Sequence, residues 1–218
     1  MIVTIDGTAA SGKSTTAREV ARRLGFTYLN TGATYRALAL YLKEKGIDYE
    51  NEEAVKKILN KVDINLIGEK VILNGRDVSS LIYSEEISKI SSKIATYKSV
   101  REFLVDIQRK IGARGNVIAE GRDTGTVVFP NADIKIYMDA DITERAKRRK
   151  RDLEKLGKNL TIEEVIESLR KRDEQDSKRK YSPLKKPTDA VEIDTTNLTI
   201  EEEIQKVINI IKQHESSV

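Results

Sequence analysis

Residues Gly7 to Thr15 read GTAASGKST, a match to G-x-x-x-x-G-K-[S/T]. The apolar run IVTID stands before them, and an amphipathic run with Ala17, Val20, Ala21 and Leu24 on one face follows. Strand, glycine-rich loop and helix in that order are the structural context that gives this pattern its meaning. Gly7 and Gly12 let the backbone curl so that the N–H groups of Thr8, Ala9, Ala10 and Ser11 point into one concavity at the positive end of a helix dipole. Such a cradle holds phosphate. Lys13 is expected to reach the outer phosphates of a nucleoside triphosphate, Ser14 to offer its hydroxyl to Mg2+, and Thr15 to complete the loop.

A loop of this kind implies a mostly parallel sheet, and the chain supplies one. Short apolar runs at Ile2–Ile5, Tyr28–Leu29, Val117–Ala119, Ile134–Met138 and Ala190–Ile193 alternate with helical patterns, one marked by Tyr35, Leu38 and Leu42. The last helix opens with Thr199 and Glu202 at capping-box spacing and presents Ile204, Val207, Ile208 and Ile211 to a core. The expected fold is α/β, five parallel strands flanked by helices on both faces. Two segments interrupt it. Between Val62 and Val78 the period falls to two, Ile64 and Leu66 then Val71 and Leu73, with Asn74-Gly75 as a hairpin turn, which predicts a small antiparallel meander. From Thr143 to Gly157 the only apolar residues are Ala146, Leu153 and Leu156, so a helix there is expected to be exposed or to stand away from the core.

The chain has 218 residues, enough for one compact domain with small appended lobes. It has no cysteine and a single histidine, His214, near its C-terminal end, which argues against thiol chemistry and against a histidine base. No apolar run approaches membrane-spanning length, and MIVTIDG lacks the regions of a signal peptide, so a cytoplasmic protein without a membrane partner is expected. The formal charge of +4 is unevenly placed: residues 145–180 hold 14 Lys/Arg against 8 Asp/Glu. A solvated helical face, a nucleic-acid track and a cationic flap over a polyanion all fit that excess.

VIAEGRDTGTVVFP, Val117 to Pro130, places Glu120, Arg122 and Asp123 inside apolar flanks, where charges need partners. In NTGATYR, Asn30 to Arg36, Arg36 lies about one and a half turns into a helix that leaves the carboxyl end of the sheet, and it is aimed at the crevice of the glycine-rich loop. Together GTAASGKST, LNTGATYRALAL, VIAEGRDTGTVVFPNADIKIYMDA and KRDEQDSKRKYSPL resemble bacterial cytidylate kinase, of the nucleoside monophosphate kinase family, over nearly the whole chain. The GRDxGTVVFP run is the most discriminating of the four.

The resemblance implies a P-loop kinase fold: a core of residues 1–30, 106–142 and 182–218, a monophosphate-binding lobe of 31–105 carrying the antiparallel insert at about 62–80, and a mobile helical lid with its following helix at about 143–181. It implies ATP as donor on Gly7, Thr8, Ala9, Ala10, Ser11, Gly12, Lys13, Ser14, Thr15 and Arg148, with Ser14 on Mg2+. The acceptor, CMP or dCMP, is implied to meet Thr31, Arg36, Ser92, Arg101, Arg122, Asp123, Asp176 and Arg179. Among these Ser92 and Arg101 match residues on the pyrimidine, Asp123 the one reading the cytosine amine and Asp176 the one on the ribose. Lys13, Arg122 and the lid residues Arg145 and Arg149 are implied to act in catalysis. Glu120 stands where the family often has Asp, and Thr31 where Ser is common. The expected protein is a monomer that binds small molecules rather than nucleic acid. Another small-substrate kinase, of shikimate or uridylate type, and a nucleic-acid-binding ATPase are the competing readings, the second opposed by the acids Asp152, Glu154, Asp173, Glu174 and Asp176 within the basic segment.

Overall fold

The central strand β1 (Ile2–Gly7) is buried from Val3 onward and is flanked on both sides by parallel partners. A strand covered on both faces must be apolar along its length, which is why IVTI reads as a continuous run rather than an alternation. The computed structural model describes residues 1–155 and 157–216. Leu156, expected on the polar helix, and the last two residues of the HESSV tail lie outside the described residues.

In chain order, β1 is followed by α1 (Lys13–Leu24), β2 (Thr27–Asn30), α2 (Thr31–Glu44) and α3 (Glu52–Lys56). Then come β3 (Ile64–Ile67), β4 (Lys70–Leu73), β5 (Arg76–Asp77), α4 (Glu85–Ile94) and α5 (Lys98–Gly112). The chain returns through β6 (Val117–Gly121), β7 (Ile134–Asp139), α6 (Ile142–Lys155), α7 (Ile162–Lys178), β8 (Val191–Asp194) and α8 (Ile200–Glu215). The five-stranded sheet has the order β2-β6-β1-β7-β8, and every pairing in it is parallel. All five expected strands are present, the first four extended by one or two residues and the fifth shifted by one, from Ala190–Ile193 to Val191–Asp194.

Residues of β6 divide between two cores. Ile118 joins Val3, Ile5, Ala17, Val20, Ile204, Val207 and Ile211 beneath α1 and α8. Val117 and Ala119 face the opposite core, with Leu38, Leu42 and Leu104 of α2 and α5. That second core also takes in the antiparallel sheet β3-β4-β5. Asn74 and Gly75 both have positive φ, 48° and 79°, the backbone a two-residue hairpin needs. The α8 capping box is closed in both directions by Thr199 and Glu202.

Register sets up the functional end. Asp6 pairs with Gly121 and Asn30 with Glu120, so β1, β2 and β6 finish level with one another. The loops that follow them emerge at the carboxyl edge of the sheet, where open parallel sheets form their crevice. Helix α6 is largely exposed and lies outside the two sheet cores, and it packs only locally: Ala146 and Leu153 meet Val165 and Leu169 of α7 and Ala9 of the glycine-rich loop. Its sparse apolar stripe suffices because α7 supplies the other half of a small third core.

Candidate active site

A Cβ on Gly7 would lie 1.9 Å from the carbonyl oxygen of Met138, so only glycine lets β7 approach the start of the loop. Gly12 has φ 93° and is the N-cap of α1, and Ala10 takes the left-handed conformation at φ 62° without being glycine. Cross-links fix the curl from outside. Thr8 Oγ1 donates to Asp139 at 2.6 Å, the Ala9 amide donates to Asp173 at 3.2 Å, and Thr16 Oγ1 donates to Glu203 at 2.8 Å. Lys13 is 4% exposed and donates to the Thr8 carbonyl at 2.7 Å. Burial, then repulsion from Arg122, lowers its pKa to about 7 against the pull of Glu120.

A cavity of about 450 Å³ runs from Lys13 and Ser14 to the turn after β6. Eight Lys/Arg side chains and five Asp/Glu line it, so the cleft favours a polyanion. Of the expected acceptor residues Thr31, Arg36, Ser92, Arg101, Arg122, Asp123, Asp176 and Arg179 all line it, as does Arg149 of α6. A second cavity of about 390 Å³ flanks the outer side of the loop, lined by Ala10 to Thr15, Arg148, Arg151 and Ile200 among others. Gly7 and Thr8 shape the loop from behind.

The turn after β6 is clamped to β1. Asp6, 1% exposed, accepts from the amides of Thr124 at 2.9 Å and Gly125 at 2.7 Å, and from the Thr124 hydroxyl. That clamp fixes Arg122 and Asp123 immediately before it. The two do not pair with each other, as neighbours in sequence rarely can. Arg122 Nε donates to Asp176 at 2.8 Å, and Asp123 lies between Arg101 at 2.5 Å and Arg179 at 3.3 Å. Burial works against the charge on Asp176, but Arg122, Arg179 and Arg172 outweigh it and hold the carboxyl below the usual aspartate range. Arg101 also lies 5.5 Å over the Tyr35 ring, and its Nε is buried without a hydrogen-bond partner.

Three expected residues already carry protein partners in this structure. The Arg145 guanidinium, 7% exposed, is spent on the Ala140 carbonyl at 2.9 Å, the Ala9 carbonyl at 3.1 Å and Asp173 at 2.6 Å. It ties α6 and α7 to the loop from behind and does not line the main cavity. Arg148 reaches the second cavity but is engaged by the Thr195 carbonyl at 2.6 Å and by Glu203 at 3.2 Å. Thr31 donates its hydroxyl proton to the Glu120 carbonyl at 2.8 Å, leaving that oxygen only acceptor capacity.

Arg172 was missed from sequence. It lines the main cavity, and loss of surrounding water followed by the charge of Arg122 lowers its pKa to about 10. The signal lay in the spacing: Leu169, Arg172, Asp176 and Arg179 fall at i, i+3, i+7 and i+10, the turns of one helical face. Tyr28, Tyr83 and Gln175 also line the cavity without any local motif to mark them.

No group of three or more His, Asp or Glu side chains suited to a metal occurs among the described residues. Ser14, exposed and lining both cavities, is compatible with Mg2+ held mostly by a nucleotide's own phosphates. No helix among the described residues is long and apolar enough to cross a membrane.

Comparison with known proteins agrees with this geometry. The sequence model of the family described as cytidylate kinase matches residues 3–213. The chain is 46% identical over 215 residues to a cytidylate kinase of Carboxydothermus hydrogenoformans, covering 97% of each. It is 47% identical over 213 residues to one of Fusobacterium nucleatum, covering 98% of this chain and 96% of that protein. One of Thermotoga maritima is 45% identical over 212 residues, with 97% and 96% covered. A phosphate cradle and an arginine-rich acceptor turn at one sheet edge, with a family match spanning both, place the chain in the cytidylate kinase family.

Proposed function

We propose that this chain transfers the γ-phosphoryl group of ATP to CMP, and to dCMP as a second acceptor, giving ADP and the nucleoside diphosphate. It acts as a cytoplasmic monomer in pyrimidine nucleotide metabolism, with no nucleic-acid or membrane partner. The observation that carries this reading is the single cavity joining Lys13 and Ser14 to Arg36, Arg122 and Asp123. Residues 31–105 serve as the acceptor lobe and 143–181 as a lid over the donor.

The nucleophile is an oxygen of the acceptor phosphate. With a second pKa of about 6 it is already ionised at pH 7, so no protein base is required. Catalysis then reduces to holding two polyanions in line while neutralising the charge on the transferred group. Lys13 takes the outer donor phosphates, the loop amides the inner ones, and Arg149 and Arg172 close over the junction. Ser14, with the nucleotide's own phosphates, would hold Mg2+, which would supply Lewis-acid charge neutralisation when bound. Arg36 and Arg122 present planar N–H pairs to the acceptor phosphate, a geometry lysine cannot supply.

Asp123 accepts from the exocyclic amine of cytosine, while the oxygen of uracil would face its lone pairs. Its two arginine partners hold it oriented for that role. Asp123→Ala would strand two buried cations, a loss of about 3–5 kcal/mol that would confuse reading with folding. Asp123→Asn keeps the shape. ADP formation followed with CMP, dCMP, UMP and AMP is expected to show both cytidine nucleotides preferred, and Asp123→Asn to narrow the gap between CMP and UMP. Equal use of UMP by the unaltered chain would refute the assignment.

A further inference from the structure

Tyr83 is 57% exposed, an unusual place for a large aromatic ring, yet both of its neighbours are fixed. Ile82 before it is fully buried. Ser84 after it is the N-cap of α4, its hydroxyl accepting from the Ile87 amide at 3.2 Å and its carbonyl accepting from Ser88 at 2.9 Å. A ring between a buried anchor and a capped helix start is positioned in advance. It projects into the main cavity, with the guanidinium carbon of Arg36 5.3 Å from its centroid.

Arginines can be oriented by the edge or by the face, and the difference matters for a ligand. Arg122 and Arg179 are held by their edges, through N–H bonds to Asp176 and Asp123, and Arg101 by an N–H bond to Asp123 as well as by the Tyr35 ring. Those donors are engaged before any phosphate arrives. Arg36 has the Tyr83 ring beside it instead, its guanidinium carbon within cation–π reach of the centroid. Stacking on an aromatic ring uses the π surface of the guanidinium and leaves its in-plane N–H groups for a bidentate anion. We propose that Tyr83 is a positioning residue for the acceptor phosphate: it holds Arg36 flat so that the donor edge is presented to the ligand. This rests on Arg36 being an acceptor-phosphate residue, as read above.

The test is steady-state kinetics of the full chain with CMP and ATP varied separately. Tyr83→Leu is expected to raise KM for CMP about 2- to 5-fold, the factor that corresponds to a half-exposed cation–π contact. The KM for ATP and kcat should stay close to the wild type, and Tyr83→Phe, which keeps the ring, should restore the CMP KM. In an Arg36→Ala background Tyr83→Leu should add nothing, because the group it positions is gone. An unchanged CMP KM in Tyr83→Leu, or the same increment with and without Arg36, overturns the inference while leaving the acceptor site intact. So does a Tyr83→Phe variant as impaired as Tyr83→Leu, which would assign the effect to the phenol hydroxyl. If Arg36→Ala itself leaves the CMP KM unchanged, the reading of the acceptor site falls, and the role of Tyr83 with it.

Discussion

Lys13 is enclosed by the loop it serves, and its protonation is therefore tied to what that loop holds. In the free chain its pKa is lowered to about 7, burial being the main cause and Arg122 the next. A bound polyphosphate favours the charged ammonium and raises that value. The sign follows directly: at or below pH 7 much of Lys13 is already charged, whereas above pH 7 nucleotide binding must draw a proton from solution. ATP affinity is expected to weaken as pH rises from 7 towards 9. Titration calorimetry at pH 8, in buffers of different ionisation enthalpy, should report net proton uptake, and its absence would mean that Lys13 is not the outer-phosphate group. At this scale much of the site was legible. Lys13, Arg36 and Arg122 are marked by the sequence motifs that carry them. The fate of Arg145 was hidden because its partners, Asp173 and the carbonyls of Ala9 and Ala140, come together only when α7 folds back over the loop.

Between elements, the back of the glycine-rich loop depends on one buried carboxylate. Glu203 of α8 is fully buried and joins Thr16 of α1 to Arg148 of α6. A Cβ on Gly12 would meet its carboxylate oxygen at 2.4 Å, so the loop, the lid helix and α8 fit around the same group. Burial pushes the Glu203 carboxyl upward, and the Thr16 hydroxyl and Arg148 act against that rise. Glu203→Ala and Arg148→Ala should each destabilise the fold by about 1–3 kcal/mol in denaturant unfolding. The double variant should lose much less than the sum, since either change breaks the same contact; additive losses would show that the two act separately. The ends of α8 and the five strands could be read from caps and apolar runs. Helices α4 and α5 were not placed from sequence, although Ile87, Ile90 and Ile94 repeat at helical spacing. No local pattern announces Glu203, whose environment is made entirely by distant segments.

Across the whole molecule the basic excess of residues 145–180 divides in two. Lys147, Lys171 and Lys178 pair with acids three or four residues away on their own helices, the solvated face that such charge runs ordinarily form. Arg145, Arg149, Arg172 and Arg179 turn inward to the loop or the cleft. Helices α6 and α7 are thus docked on the loop, with Asp173 on the Ala9 amide and Arg145 on the Ala9 carbonyl. Arg145→Ala should loosen that docking and speed hydrogen exchange in Ile142–Lys155 about tenfold or more, a shift of roughly 1.4 kcal/mol in opening free energy. ATP with CMP should slow it again. Exchange in that helix indifferent to both changes would show that the lid is held by other means.

The carboxylate of Asp6 binds the turn that carries Arg122 and Asp123, while the next residue along the chain begins the donor loop. Both phosphate cradles are therefore fastened to a single peptide, and neither can slide along the sheet edge without dragging the other. On the proposed assignment, the spacing between them is expected to act as a fixed gauge for a monophosphate acceptor facing its donor. A nucleotide already lengthened by one phosphoryl group would overrun that gauge, and synthesis is expected to halt at the diphosphate.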